Sequence, residues 1–285
     1  MDFSGNKVLF PYYHFASEKM PLHITKHYKN PSDIKADLTY FLSYFHPISL
    51  KELLAHKNNH VSIPKNSLHL TFDNGYCNFY SEIAPILKEY EIPATIFIAP
   101  STINNKHLPF ESKKNILANE LCSDAVLDFS LSQEDELDEL AKTFSIKWSD
   151  YLSEHQPFLT SKEIGELIGN GFTIGTQIYN HPEISIEQLK QQVISESQLL
   201  KNQFNLDYSV CAFHYSDKKL TADFFSSIEK NIDASFGING LMNENSPHHY
   251  QRILMDKPQK AEDILKLAYS NYWLKKLCFK NTIKR

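Results

Sequence analysis

Asp73 and Asn74 stand side by side in LTFDNGY (70–76), where a short apolar run ends in a tight turn. A carboxylate there can take up a proton or hold a cation, whereas its near-isosteric amide can only exchange hydrogen bonds. Other chemically able groups close apolar runs in the same way. His14 ends VLFPYYH (8–14), Gln177 and His181 follow FTIG, and His214 lies near the end of YSVCAFHY (208–215). Imidazoles move protons near neutral pH and ligate metals. Any one of these residues alone suits a structural role, since a histidine can cap a strand-end carbonyl and Asp-Asn-Gly is common turn chemistry. Their joint placement depends on the elements that carry them.

Those elements alternate between short β-branched or aromatic runs and segments of helical period, the mark of a parallel sheet built from βα units. VLFPYYH, SLHLTFD (67–73), ATIFIAP (94–100), FTIGTQ (172–177), YSVCAFHY, ASFGIN (234–239) and YQRILMD (250–256) read as buried strands, with HPIS (46–49) a weaker addition. Seven or eight strands suit a barrel better than an open sheet. Ser32 precedes an apolar stripe of Ile34, Leu38, Phe41, Leu42 and Phe45. Ser49 with Glu52, Thr160 with Glu163, and Ser185 with Gln188 fit the capping box at a helix start. In a βα barrel the functional groups gather at the carboxyl ends of the strands, so His14, Asp73, Asn74, Gln177, His181 and His214 are expected at one mouth.

The composition narrows the function classes. A net charge of −5 over 285 residues leaves no electrostatic footprint for nucleic acid. The four cysteines are scattered without a C-x-x-C pair, which argues against a disulfide framework or a cysteine zinc site. The amino-terminal stretch MDFSGNKVLFPYYHFAS is too short and too broken by proline for a signal peptide or a membrane span, so a cytoplasmic location is the expectation. Residues 104–158 are too long for an ordinary βα connection and read as a helical insertion, either a lid or a helix pair on the barrel's rim. The tail NYWLKKLCFKNTIKR reads as the basic, frayed end of a last packed helix at about 261–278, in a composition that also suits a membrane surface or a partner.

LTFDNGY, then ILKEYEIPATIFIAP, then FLTSKEIGELIGNGFTIGTQIYNHPEIS, resemble the polysaccharide deacetylase family, the NodB-homology domain of carbohydrate esterase family 4. VLFPYYHFAS and DLTYFLSYFHPISLKELL look like the opening strand and helix of many members, and the resemblance runs from about residue 8 to Asp256, apart from the insertion. It implies one distorted (β/α) barrel of seven or eight strands over residues 1–285, hydrolysing N- or O-acetyl groups on sugars with one divalent metal such as zinc. In the family's T-F-D-D-G motif the first aspartate is a catalytic base and the second a metal ligand; H-[S/T]-x-x-H adds two ligands. By resemblance Asp73 is the base and His181 the second histidine, while Asn74 and Gln177 occupy the other two ligand positions. Amide oxygens bring no negative charge, so His181 is left as a weak metal ligand and the cofactor is either absent or a weakly held divalent ion. The family's R-x-P-x-[GA] segment falls on AFHYS, with Ala212 in place of the arginine that orients the base, His214 in place of proline and Ser216 in place of the small residue. Asp256, in LMD, falls where the late general-acid histidine is usual.

Two readings follow. One is a carbohydrate deacetylase, a hydrolase of non-peptide carbon–nitrogen bonds acting on an acetylated glycan or sugar intermediate in polysaccharide metabolism. In it Asp73, His181 and Asp256 are catalytic, with a displaced metal site of His14, His181 and His214 or a metal-free attack on esters as variants. The other is an inactive glycan-binding or scaffold protein. In it His14, Asn74, Gln177 and His214 hydrogen-bond the sugar while Tyr76 and Tyr179 stack on its ring. No integral membrane segment is expected, and the oligomeric state is not readable from the sequence.

Overall fold

The computed structural model describes residues 8–24, 28–59 and 61–285, so the first seven residues of the amino-terminal stretch lie outside it. In chain order the strands are β1 Pro11–Tyr13, β2 His46–Pro47, β3 Ser67–Leu68, β4 Leu70–Phe72, β5 Ala94–Ile98, β6 Thr173–Ile178, β7 Val210–Phe213, β8 Ala234–Gly237, β9 His249–Gln251 and β10 Ile253–Leu254. The α-helices are α1 Pro31–Tyr44, α2 Leu50–Asn59, α3 Ala84–Glu89, α4 Phe110–Glu120, α5 Glu134–Thr143, α6 Trp148–His155, α7 Ser161–Gly169, α8 Ile186–Phe204, α9 Ala222–Ile228 and α10 Ala261–Leu277.

Eight strands form one parallel sheet in the order β10-β1-β4-β5-β6-β7-β8-β9, and β2 pairs with β3 apart from it. The sheet curls into a nearly closed barrel because its two edges belong to one run of chain. Within 249–254 the first half pairs with β8, through Phe236 opposite Tyr250, and the second half pairs with β1, through Pro11 opposite Ile253. The change of partner falls at Arg252, whose amide donates to Gly237 while the next amide, of Ile253, donates to Phe10. A run that reads as a single strand therefore supplies two short ones. Pro11 opens β1, where its missing N–H costs the ladder least.

The three capping boxes form as their spacing requires: Ser49 and Glu52, Thr160 and Glu163, and Ser185 and Gln188 exchange side-chain and backbone hydrogen bonds. Helix α1 differs, since Asn30 caps it together with Asp33 and Ser32 lies inside the first turn. Proline at position 31 explains the shift, because its fixed φ suits the first helical position. The apolar stripes of α1, α3, α7 and α10 bury against the sheet's outer face. Phe97, Ala212 and Phe236 fill the interior together with Leu50 and Leu53 of α2.

Between β5 and β6 the chain makes α4, α5 and α6 before the crossover helix α7. These helices have their own apolar clusters, one of which includes Phe15 and Ile24 from the segment after β1. The loop before α5 is tied to the barrel by Glu183, whose carboxylate accepts from the amides of Leu131 and Ser132. The tail beyond α10 is not frayed. Asn281 and Ile283 bond Asn243, and the side chain of Arg285 is 2% exposed. Among the described residues no helix is long and apolar enough to cross a membrane.

Candidate functional site at the barrel mouth

All eight strands run the same way, so their carboxyl ends share one mouth. His14 follows β1, Asp73 follows β4, Gln177 lies near the end of β6, His214 follows β7 and Asp256 follows β10. The Asp73 amide donates to Tyr13 at 2.8 Å, and the chain then turns through left-handed Asn74 (φ 72°) and Gly75 (φ 62°). Asparagine tolerates that conformation and glycine favours it. At Gly75 a Cβ would lie 2.8 Å from Ile98 Cγ1, so the turn needs glycine on both counts.

Asp73 is committed to a residue that motif reasoning passes over. Arg252, completely buried between β9 and β10, donates from Nη1 to Asp73 Oδ1 at 2.6 Å and from Nη2 to Oδ2 at 2.9 Å. It also donates to Thr71 Oγ1 and the Gly237 carbonyl, and its guanidinium lies 4.4 Å from the centre of the Tyr12 ring. Removing two charges from water is costly, and a two-pronged bond with further partners is the geometry that offsets it. Ala212 does stand on β7 with no charge to offer, but an arginine that fixes Asp73 comes from the β9–β10 run. The signal in the sequence was an arginine inside the apolar run YQRILMD, since such a charge is rarely buried unless paired.

Asp256 does not stand alone as a proton donor. Its Oδ2 accepts from the His14 amide at 2.6 Å and meets His14 Nδ1 at 2.8 Å, while Oδ1 is buried without a partner. Burial pushes the Asp256 carboxyl up, against the pull of His14. Burial draws the His14 imidazole down, but the bond and charge of Asp256 outweigh it and leave its pKa above the ordinary value.

The three positions of the metal triad form no metal centre. The Asn74 backbone N–H donates to Gln177 Oε1 at 3.4 Å, and the Tyr179 hydroxyl donates to Asn74 Oδ1 at 3.4 Å. Both amide oxygens are thus engaged within the protein. His181 makes its ring contacts with Phe110 at 6.0 Å, Tyr215 at 4.8 Å and Tyr179 at 6.3 Å, and no hydrogen bond joins it to either amide. Beside it, Asn180 exchanges two hydrogen bonds with the Tyr215 backbone and so ties the His181 loop to the chain after β7. One imidazole and two neutral amides carry no anionic donor, so the set does not fit the divalent ion usual in such sites. The displaced histidine site fails as well. Among the described residues the only gathering of three metal-capable acid, cysteine or histidine groups is Asp217, Glu244 and His249, which leaves out His14, His181 and His214. That gathering lies on the opposite face of β8 and β9 from Phe236, and Arg285 Nη2 sits 2.5 Å from both carboxylates, supplying the positive charge an ion would bring.

The rim is aromatic. His14, His214, Tyr179, His181 and Tyr215 form a chain of ring contacts with centroid separations from 4.8 to 6.3 Å, all half-buried. Tyr215 is held by its hydroxyl bond to Glu111 of α4. Tyr76 is not part of this surface. It is buried beneath the inserted helices, stacked on Phe158 at 5.5 Å, so it cannot take the sugar-stacking role expected of it.

The sequence profile of the family described as polysaccharide deacetylase matches residues 60–221. A sequence search of curated proteins finds no significant match. Several solved structures share the architecture. The deacetylase PplD of Streptococcus pyogenes, in complex with acetate, is 17% identical with a TM-score of 0.59, covering 92% of this chain and 97% of that one. IcaB from Ammonifex degensii is 13% identical with a TM-score of 0.60, covering 93% and 97%. A de-N-acetylase from Aggregatibacter actinomycetemcomitans is 13% identical with a TM-score of 0.63, covering 91% and 98%. At these identities the likeness establishes a shared barrel and nothing finer.

Proposed function

Because the chain belongs to the polysaccharide deacetylase family, whose profile spans more than half of it, we propose that its barrel mouth binds an acetylated glycan or sugar intermediate without metal-dependent deacetylation. The observation that carries this reading is the pair of amides at positions 74 and 177, with both oxygens bonded inside the protein, which leaves His181 as the one ionisable group of the three positions. Without a Lewis acid nothing polarises an acetyl carbonyl for attack, so an Asp73 oriented by Arg252 has no activated acetyl group to serve. What the mouth retains is suited to binding. The rings of Tyr179 and Tyr215 offer flat apolar faces, and His14 and His214 offer polar edges beside them. Calorimetry with an N-acetylated hexosamine oligosaccharide should show binding that Tyr179→Ala weakens about tenfold, with no acetate released. Stoichiometric acetate release by the wild type would defeat the reading.

The His14–Asp256 pair favours a second reading, confined to esters. Asp256 orients His14, whose other ring nitrogen could take a proton from water attacking an O-acetyl group. An O-acetylated sugar hydrolysed by the wild type, with the rate lost in His14→Ala and kept in His181→Ala, would select it over the binding reading.

A further inference from the structure

The second half of α10 is apolar on the wrong side. Ile264 and Leu265 pack against the barrel, yet Leu267, Trp273, Leu274 and Leu277 point away from it, at 59%, 54%, 62% and 76% exposure. A helix apolar on two opposite faces is one that is covered on both. The exposure does not come from a loose end. Tyr272 donates to Asn243 at 3.0 Å, and Asn281 and Ile283 bond the backbone of the same Asn243, so the arm between them is held at both ends. The helix stops with Phe279 in the left-handed conformation (φ 55°), a place that favours glycine, and its ring is 91% exposed.

The charge around the patch selects the occupant. From Ile264 to Lys284 the chain carries lysines and no acid, although its net charge is −5. Exposed Lys275, Lys276 and Lys280 flank the apolar residues, and Lys276 lies 4.4 Å over the Trp273 ring. A second copy docked on this face would set those lysines against each other. Long basic side chains beside Trp, Leu and Phe are instead the composition of a helix that lies in the headgroup layer of an anionic membrane, with apolar groups below and ammonium groups at the phosphates. We infer that residues 267–280 are a docking surface for anionic lipid.

Sedimentation of the full chain with vesicles tests this. Binding is expected to phosphatidylcholine vesicles containing phosphatidylglycerol and not to phosphatidylcholine alone. The triple variant Lys275→Glu, Lys276→Glu, Lys280→Glu should bind about a hundredfold more weakly, taking each surface lysine as worth about fivefold. Leu277→Ser with Phe279→Ser should weaken binding at least tenfold while leaving circular dichroism unchanged. Retention of wild type and variants to the same extent, or of none, would overturn the inference. So would a dimer in light scattering that Leu277→Ser abolishes, with no lipid binding, since a second copy would then be the occupant.

Discussion

Two arginines are buried against carboxylates in this molecule, and they differ in what surrounds them. Arg252 lies inside the barrel and meets one acid, Asp73, through two parallel bonds. Arg285 lies on the outer face and bridges two, Asp217 and Glu244, with His249 at 2.8 Å from Asp217. Among the described residues no helix links β8 to β9, and the returning tail covers their outer face instead. Asp217 fills that cover so tightly that a Cβ on Gly237 would lie 2.4 Å from its Oδ1. The outer network is thus a fastening for the barrel's last turn, whereas the inner one fixes the acid on which family chemistry turns. An ion pair of similar composition serves packing in one place and fixes the orientation of a carboxylate at the barrel mouth in the other.

The largest effect is expected at the inner pair. Arg252→Ala leaves an uncompensated carboxylate in the interior and should cost about 3–5 kcal/mol in urea denaturation, while Arg252→Met combined with Asp73→Leu should recover most of it. If the double variant is as unstable as the single, the pair contributes more than charge balance. Arg285→Ala should cost less, about 2–3 kcal/mol, because His249 still faces the acids. Burial pushes the Asp217 carboxyl up, but the bonds and charges of His249 and Arg285 overcome it and hold the pKa well below the usual range. Its contribution is therefore present above the unfolded value of 3.8 and lost as pH falls through the depressed folded value. Melting curves of Asp217→Asn should lack that acid-side decline.

Glu196 on α8 sharpens the contrast, since it has no arginine. Burial raises its carboxyl to about 7 against only a bond from Gln192. A raised acid favours the folded state while protonated, so stability falls as pH climbs from 4.5 to about 7. Glu196→Gln should exceed the wild type by ~1 kcal/mol above neutral pH and match it near pH 4.

Much of this was readable in the linear chain where the deciding contacts are local. The capping boxes lie three residues apart, and the strand ends that meet at the mouth follow from period and turn chemistry. What escaped depends on distant partners. Asp73 and Arg252 are 179 residues apart, and Asn180, next to His181, bonds Tyr215 across a gap of 35. Tyr76 reads as a rim residue until the inserted helices bury it. Substitution at a motif position announces a lost ligand, but only the fold shows that both replacement amides are bonded within the protein.

The most direct test is zinc titration by calorimetry of the wild type beside Asn74→Asp, Gln177→His. No binding is expected in the wild type up to millimolar zinc. The double variant, with an anionic oxygen and a second imidazole restored, should bind one ion and unfold at a higher temperature in its presence. One zinc held tightly by the wild-type chain and lost in His181→Ala would contradict the account.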